Sequence, residues 1–343
     1  MLDEYAPASP GDWVCFPDDV ELFPVVDGRG PIVVQSLFDG IPLSNWIVTH
    51  RQWVDRAFAR YGALLFRRFE CQGIMDFHAA LEALGCPPMK FSEETSPRKH
   101  LGQQIFTSTE HPASEEIFPH NEGSYFKQCP LRVFFFCENA ATAGGETTVV
   151  SGRRILELMD ADLKKTFAEK GWTYIRRYGT GLGLDWKTAF QTNDPSVVEA
   201  YCTQNDIKFR WLDDLLTTQQ TRAAIFSHPG DGEPVWCNHV CFFHRTALPS
   251  DLLALLEADG PNSLPFDTTY GDGREITATT IEHLRDLYRA STIEIGWRNQ
   301  DVLMLDNLRF AHGRRPFTGN RRLLFAMSNS EESCAYGTKS SLG

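Results

Sequence analysis

The chain has 343 residues, 42% hydrophobic and 23% charged, with a formal net charge of −12 and no long basic run. That charge opposes a nucleic-acid partner and an anionic membrane surface, and no apolar stretch approaches the ~20 residues of a membrane span. Nine scattered Cys residues form no C-x-x-C pair, and Met1-Leu2-Asp3-Glu4 opens no signal-peptide pattern. Both features read as reduced thiols in a cytoplasmic protein rather than a disulfide framework.

Pro and Gly make the first ~30 residues read as an irregular arm. Ile32–Ser36 reads as a strand, and Val54, Ala57, Phe58 and Tyr61 recur with the spacing of a helix near 50–61. Ala63–Arg67 follows as a strand, 73–84 as a helix, and 87–118 as a polar, Pro-containing loop. Leu131–Cys137 is a continuous β-rich run of the kind found in buried strands. Gly144-Gly145-Glu146-Thr147 turns into another strand, after which Ser151 can cap a helix to about 160. The stretch 161–292 mixes helices with short strands; its last helix is predicted to start at a capping box, Thr279-x-x-Glu282. Val302–Leu305 and Arg322–Met327 read as strands flanking Asp306–Asn320.

This order, β-rich then mixed then β-rich, fits a mainly β chain with helices: a jelly-roll, cupin-like double-sheet core with a helical insertion. No linker divides the chain. We therefore expect one domain over 1–343, with an arm over about 1–30, a core over about 63–150 and 292–329, and an insertion over about 161–291.

The chemistry concentrates at His120-Asn121-Glu122. In extended backbone, residues i and i+2 face the same way, so His120 and Glu122 offer an imidazole and a carboxylate to one point. Alone, such a pair is more often an ordinary hydrogen-bonded couple. With His312 it makes two His and one carboxylate, the facial set that leaves positions open on non-haem Fe(II). The same set suits Zn2+ with a bound water, so a zinc hydrolase is the chief rival reading, and a non-catalytic cupin-like binding protein is the third.

Taken together, His120-x-Glu122, Gly144-Gly145-Glu146-Thr147, and Asp306-Asn307 with His312-Gly313-Arg314, Phe317 and Arg322 resemble the Fe(II)/2-oxoglutarate dioxygenases of the taurine dioxygenase and clavaminate synthase-like superfamily. The likeness runs from about Ala63 to about Asn329. His120-Asn121-Glu122-x-Ser124-Tyr125 and Val235-Trp236-x-Asn238 are similar to the branch encoded beside peptide natural-product assembly lines.

The resemblance implies His120, Glu122 and His312 as iron ligands and Thr147 and Arg322 as contacts of the 2-oxoglutarate co-substrate, with Arg321 the adjacent competitor. Leu323–Met327 is too apolar for an exposed edge, which favours burial of Arg322. A buried site holding iron, Glu122 and 2-oxoglutarate would carry one net negative charge, which an arginine neutralises. The implied reaction couples O2 and 2-oxoglutarate to attack on an unactivated C–H bond of an amino acid or a carrier-protein-bound aminoacyl group. Related halogenases lack the carboxylate, so Glu122 implies hydroxylation. Asn238, His239 and Tyr125 are candidate substrate contacts; the Asn238–His239 pair reads equally well as satisfying loop backbone, and an aromatic at Tyr125 is more often core. Asp306 is a candidate acceptor for His312, or simply the opening of an Asp-Asn turn.

Overall fold

Four apolar runs of this chain alternate so regularly that each can be buried on both faces. In Ala63–Arg67, Arg132–Asn139, Val302–Asp306 and Arg322–Ser328, odd positions such as Leu65, Phe135, Leu303 and Phe325 join one core cluster. Even positions such as Leu64, Phe134, Met304 and Leu324 join another. This is the period of two that a strand imposes. The computed structural model describes residues 17–329 apart from 27–28, 90–92, 94, 96–97, 109–110 and 261.

These four strands form the centre of an eight-stranded sheet, completed by Val20–Val26 and Arg29–Ser36 on one side and by Ile105–Thr107 and His100–Gly102 on the other. The helices Leu43–Tyr61 and Ile74–Ala83 cover its outer face, burying Trp46, Val54, Phe58, Phe77 and Leu81 against it. Its inner face packs on a four-stranded sheet ordered Thr292–Ile295, Thr147–Ser151, Phe310–Arg314, Ile117–His120. Val149, Ile295 and Phe310 from that smaller sheet share the inter-sheet cluster with Phe135, Leu305 and Phe325. The result is the two-sheet jelly-roll core expected from the sequence. Full burial of one such aliphatic or aromatic side chain contributes about 1.5–3 kcal/mol, so this layer dominates the stability of the core.

The insertion carries its own four-stranded sheet, ordered Ile207–Leu212, Leu215–Arg222, Trp172–Tyr178, Phe266–Tyr270. Helix Ala278–Ser291 returns the chain to the core, burying Ile281, Leu284, Leu287 and Tyr288.

Three local expectations change. Residues 20–26 are a strand antiparallel to Arg29–Ser36 rather than part of an irregular arm; residues 1–16 of that arm lie outside the described residues. The polar loop 87–118 contributes two short edge strands, because Ile105 and Phe106 are apolar enough to be buried against the sheet. The helix at 278 is capped by Thr277, whose hydroxyl accepts from the Thr280 amide, while Glu282 of the expected capping box instead bonds Arg289. The seven described cysteines are free and buried; Cys15 and Cys334 lie outside the described residues. Among the described residues, no helix is long and apolar enough to cross a membrane.

Candidate active site

His120 and His312 meet because their strands pair: His312 stands opposite His120 on one side and Val149 on the other. Gly313 permits this closeness. A Cβ there would run into the Ile117 carbonyl oxygen and the Thr148 hydroxyl. Phe310, His312 and Arg314 share the inward face by strand alternation.

Glu122 arrives differently from the extended arrangement expected. Strand Ile117–His120 ends at the first ligand, and Glu122 lies in the turn that follows. That turn is braced by buried Asn307, whose Oδ1 accepts from the Glu122 amide (2.8 Å) and whose Nδ2 donates to the carbonyls of Glu122 (2.8 Å) and Pro130 (2.7 Å). Asn307→Ala would leave those groups unsatisfied in the interior. We expect a loss of about 2–5 kcal/mol in denaturant unfolding together with weakened metal binding; stability within 0.5 kcal/mol of the unmodified protein would refute the brace.

One candidate ligand atom from each of His120, Glu122 and His312 lies within 4.8 Å of the others. Nε2 of His120 and of His312 stand 3.8 and 3.9 Å from Glu122 Oε2, too far for hydrogen bonds and open to a shared ion. His120 Nδ1 donates to the Phe118 carbonyl (2.9 Å), leaving Nε2 with its lone pair directed at the cluster. Burial, reinforced by His120, lowers the pKa of His312 to about 3, so it is neutral and able to ligate at neutral pH. Burial alone would raise the pKa of Glu122. Arg98, with His120 and His312, overcomes this and holds the carboxyl well below its usual range. A buried set of two imidazoles and one carboxylate suits Fe(II).

His120 and Glu122 line two cavities, and His312 lines the inner one. The inner one, about 40 Å³, is lined by Thr147, Arg314 and Arg321 as well as the triad. Thr147 Oγ1 accepts from Trp297 Nε1 (3.0 Å), which directs its own proton elsewhere. Arg321 donates Nε to the Gly145 carbonyl (2.9 Å). Burial and the neighbouring Arg314 lower its pKa to about 10. A buried and a part-buried guanidinium that repel each other beside a hydroxyl form a site suited to a carboxylate, so the residues fit 2-oxoglutarate as well as iron.

Arg322 does not reach this cavity. It opens its strand half-exposed and pairs with Glu138 (2.7 Å). The expectation of a buried Arg322 is therefore corrected: the apolar run after it is buried on both faces, but alternation puts Arg321 on the inward side with Leu323 and Phe325.

The outer cavity, about 530 Å³, is walled by His239, Phe242, Phe243 and Phe266 and reaches Arg285. His239 is 5.0 Å from His120 between ring centroids and bonds Ser124 Oγ through Nδ1 (2.6 Å). Phe242 lies nearer still, 4.5 Å from His120. Asn238 and Tyr125 stay out of both cavities. The side chain of Asn238 is spent on the Ala224 carbonyl and the Val240 amide, and Tyr125 is core, its hydroxyl donating to the Glu93 carbonyl (3.3 Å). Asp306 does not reach His312; it caps its own turn at Leu308 and Arg309 and bonds His228 (2.8 Å).

Arg98 has no motif around it in the sequence, yet its Nη2 lies 3.0 and 3.2 Å from the two oxygens of Glu122. Arg314 was legible, being two residues from His312 on the same strand; its guanidinium also holds the carbonyls of His111, Pro112 and Glu115.

Comparison with known proteins agrees with this geometry. The profile of the taurine catabolism dioxygenase TauD, TfdA family matches residues 27–327. The dapdiamide synthesis protein DdaC of Enterobacter agglomerans is 35% identical over 276 residues, 80% of this chain and 84% of that protein. A clavaminate synthase-like protein of Arabidopsis thaliana is 26% identical over 299 residues, 84% and 88% of the two chains. PvcB of Pseudomonas aeruginosa superposes with a TM-score of 0.56 at 16% identity over 94% of this chain and 96% of its own, which shows a common fold. The match over nearly the whole described chain makes this protein a member of the taurine catabolism dioxygenase TauD, TfdA family, a dioxygenase that depends on Fe(II), 2-oxoglutarate and O2.

Proposed function

We propose that this dioxygenase hydroxylates an unactivated C–H bond of an amino acid or a carrier-tethered aminoacyl group in a biosynthetic pathway, with the whole chain working as one oxygenase domain. The observation that carries the reading is the outer cavity of about 530 Å³ lined by His120 and Glu122 together with aromatic rings and charged groups. A relative named for dapdiamide synthesis supports the biosynthetic setting.

In this reading His120, Glu122 and His312 hold the iron. Arg321 grips the far carboxylate of 2-oxoglutarate, with Thr147 donating to it and Arg314 adding positive charge. His239 and Phe242 seat the substrate beside His120 and exclude water from that face. Bound iron, 2-oxoglutarate and O2 supply the oxidising chemistry; the protein supplies position, charge and dryness.

The test is anaerobic loading with Fe(II) and 2-oxoglutarate followed by a panel of amino acids and aminoacyl thioesters, read by the metal-to-ligand charge-transfer band. Admission of O2 should then yield succinate and a hydroxylated product in equal amounts. Succinate released at the same slow rate with every candidate, with no product mass gain of one oxygen, would reject the substrate class.

A further inference from the structure

We propose that Arg285 is the receptor for a free carboxylate on the substrate, which makes that substrate an amino acid rather than an aminoacyl thioester. This deepens the functional reading above and rests on it.

Place is the first argument. Helix Ala278–Ser291 turns Ile281, Leu284 and Tyr288 into the core, and the Tyr288 ring packs 5.2 Å from Phe118, two residues before the first metal ligand. Arg285 stands one turn after Ile281, beside that buried stripe. Arg285 and Arg289 both line the outer cavity with His120, but at different depths. The Arg289 side chain is 56% exposed and that of Arg285 only 13%. The Cys241 carbonyl accepts from Arg285 Nη2 (3.3 Å), and the next residue, Phe242, is the one whose ring lies 4.5 Å from His120. The guanidinium is thus tied one residue along the chain from a ring that covers a metal-binding imidazole. That span suits a small molecule.

Charge is the second argument. The other ionised side chains of this cavity hold close partners. Arg98 and Glu122 hold each other (3.0 Å), Arg315 holds Glu116 (2.6 Å) and His111 meets Glu115 (3.0 Å). Glu282 and Asp286 both lie 2.7 Å from Arg289. Among the described residues, Arg285 has only Glu282, at 3.5 Å, and that carboxylate is half-exposed and already taken by Arg289. A cation so far withdrawn from water, with so loose a counter-ion, favours an incoming anion. The planar guanidinium fork matches a carboxylate with two parallel bonds, and its tie to the Cys241 carbonyl reduces the entropy lost on gripping one.

The experiment varies the ligand and the side chain in one assay. The anaerobic Fe(II)–2-oxoglutarate complex is titrated with each proteinogenic amino acid, its primary amide and its N-acetylcysteamine thioester, read by the charge-transfer band. The proteins compared are the unmodified chain, Arg285→Met, Arg285→Lys and Glu282→Gln. We expect the acid to bind about 10-fold or more tighter than the amide or thioester, and Arg285→Met to remove that preference. The Fe(II)–2-oxoglutarate band itself should survive, because the contacts of Arg285 are to Glu282 and Cys241, outside the metal site. Arg285→Lys should restore only part of the preference, because a lysine lacks the fork. Glu282→Gln removes the competing carboxylate and should tighten the acid about 2- to 5-fold while leaving the amide unchanged.

Equal binding of acid and amide overturns the proposal, as does a tighter thioester or an acid preference that survives Arg285→Met. If Arg285→Met does not fold, Glu282→Gln decides: acid affinity that stays level or falls overturns the proposal. Silence from every amino acid in all three forms, with the Fe(II)–2-oxoglutarate band intact, would instead reject the amino-acid substrate class and this proposal with it.

Discussion

Glu122→Ala is expected to abolish turnover by removing the anionic ligand. The two remaining donors, His120 and His312, are imidazoles and bring no negative charge, so the site would lose the charge that offsets the metal's own. Even outer-shell changes at metal sites typically cost 10–100-fold in affinity or activity; loss of a ligand should exceed about 100-fold. The second consequence is electrostatic. Arg98 loses its bonds to the Glu122 carboxylate and stays buried among Phe325 and the two imidazoles, so the metal-free variant should also be less stable.

The sign of its pH dependence follows. Glu122 has a folded-state pKa depressed below its unfolded value near 4.3, so its stabilisation is complete above that value and fades as pH falls through the folded pKa. The stability gap between Glu122→Ala and the unmodified apoprotein should therefore be widest above about pH 5 and shrink in acid. Equilibrium binding of Fe(II) or Co(II) and denaturant unfolding at pH 4 and pH 7 measure both effects. A variant that binds metal like the unmodified protein would remove Glu122 from the triad.

The metal ligands were legible because three independent short patterns stood in order, and because residue type alone narrows the chemistry. The route by which they meet was less so. Alternation along a strand brought His120 and Glu122 together on paper; in the fold a turn does it, held by Asn307 across 185 positions. No local rule reaches that far. Tyr125 and Asn238 show the opposite limit: a residue beside a motif is close in sequence, but its side chain is directed by packing from elsewhere in the chain, here the carbonyls of Glu93 and Ala224. Arg98 was invisible for a similar reason. Its loop is polar and Pro-containing like many surface loops, and nothing local points it at Glu122, 24 positions further on.

Arg321→Ala is expected to weaken 2-oxoglutarate far more than Arg322→Ala, and the comparison tests the register of the strand that carries both. Arg321 lies in the inner cavity with Thr147 and Arg314, and losing one partner of a desolvated charge pair costs about 2–5 kcal/mol, or roughly 30- to several-thousand-fold in dissociation constant. Arg322 is half-exposed and paired with Glu138, and such a surface pair contributes about 0–1 kcal/mol, so its removal should leave the co-substrate affinity within a few-fold. The family resemblance pointed to Arg322, and the apolar run from Leu323 to Met327 favoured its burial. That demand is met by both faces of the sheet: Leu324 and Ala326 pack toward the helices, while Leu323, Phe325 and Met327 pack between the sheets. The face that carries Phe325 beside Arg98 also carries Arg321. An irregularity of pairing falls there: Arg322 stands opposite Asn139 and Leu323 opposite Cys137, so Glu138 is the extra residue between them and takes Arg322 as its partner. Titration of each variant with 2-oxoglutarate under anaerobic Fe(II) gives the two constants directly. A larger loss at Arg322 would mean that the strand enters the core one residue out of step with this geometry, and the inner cavity would then have to be assigned to a different carboxylate partner.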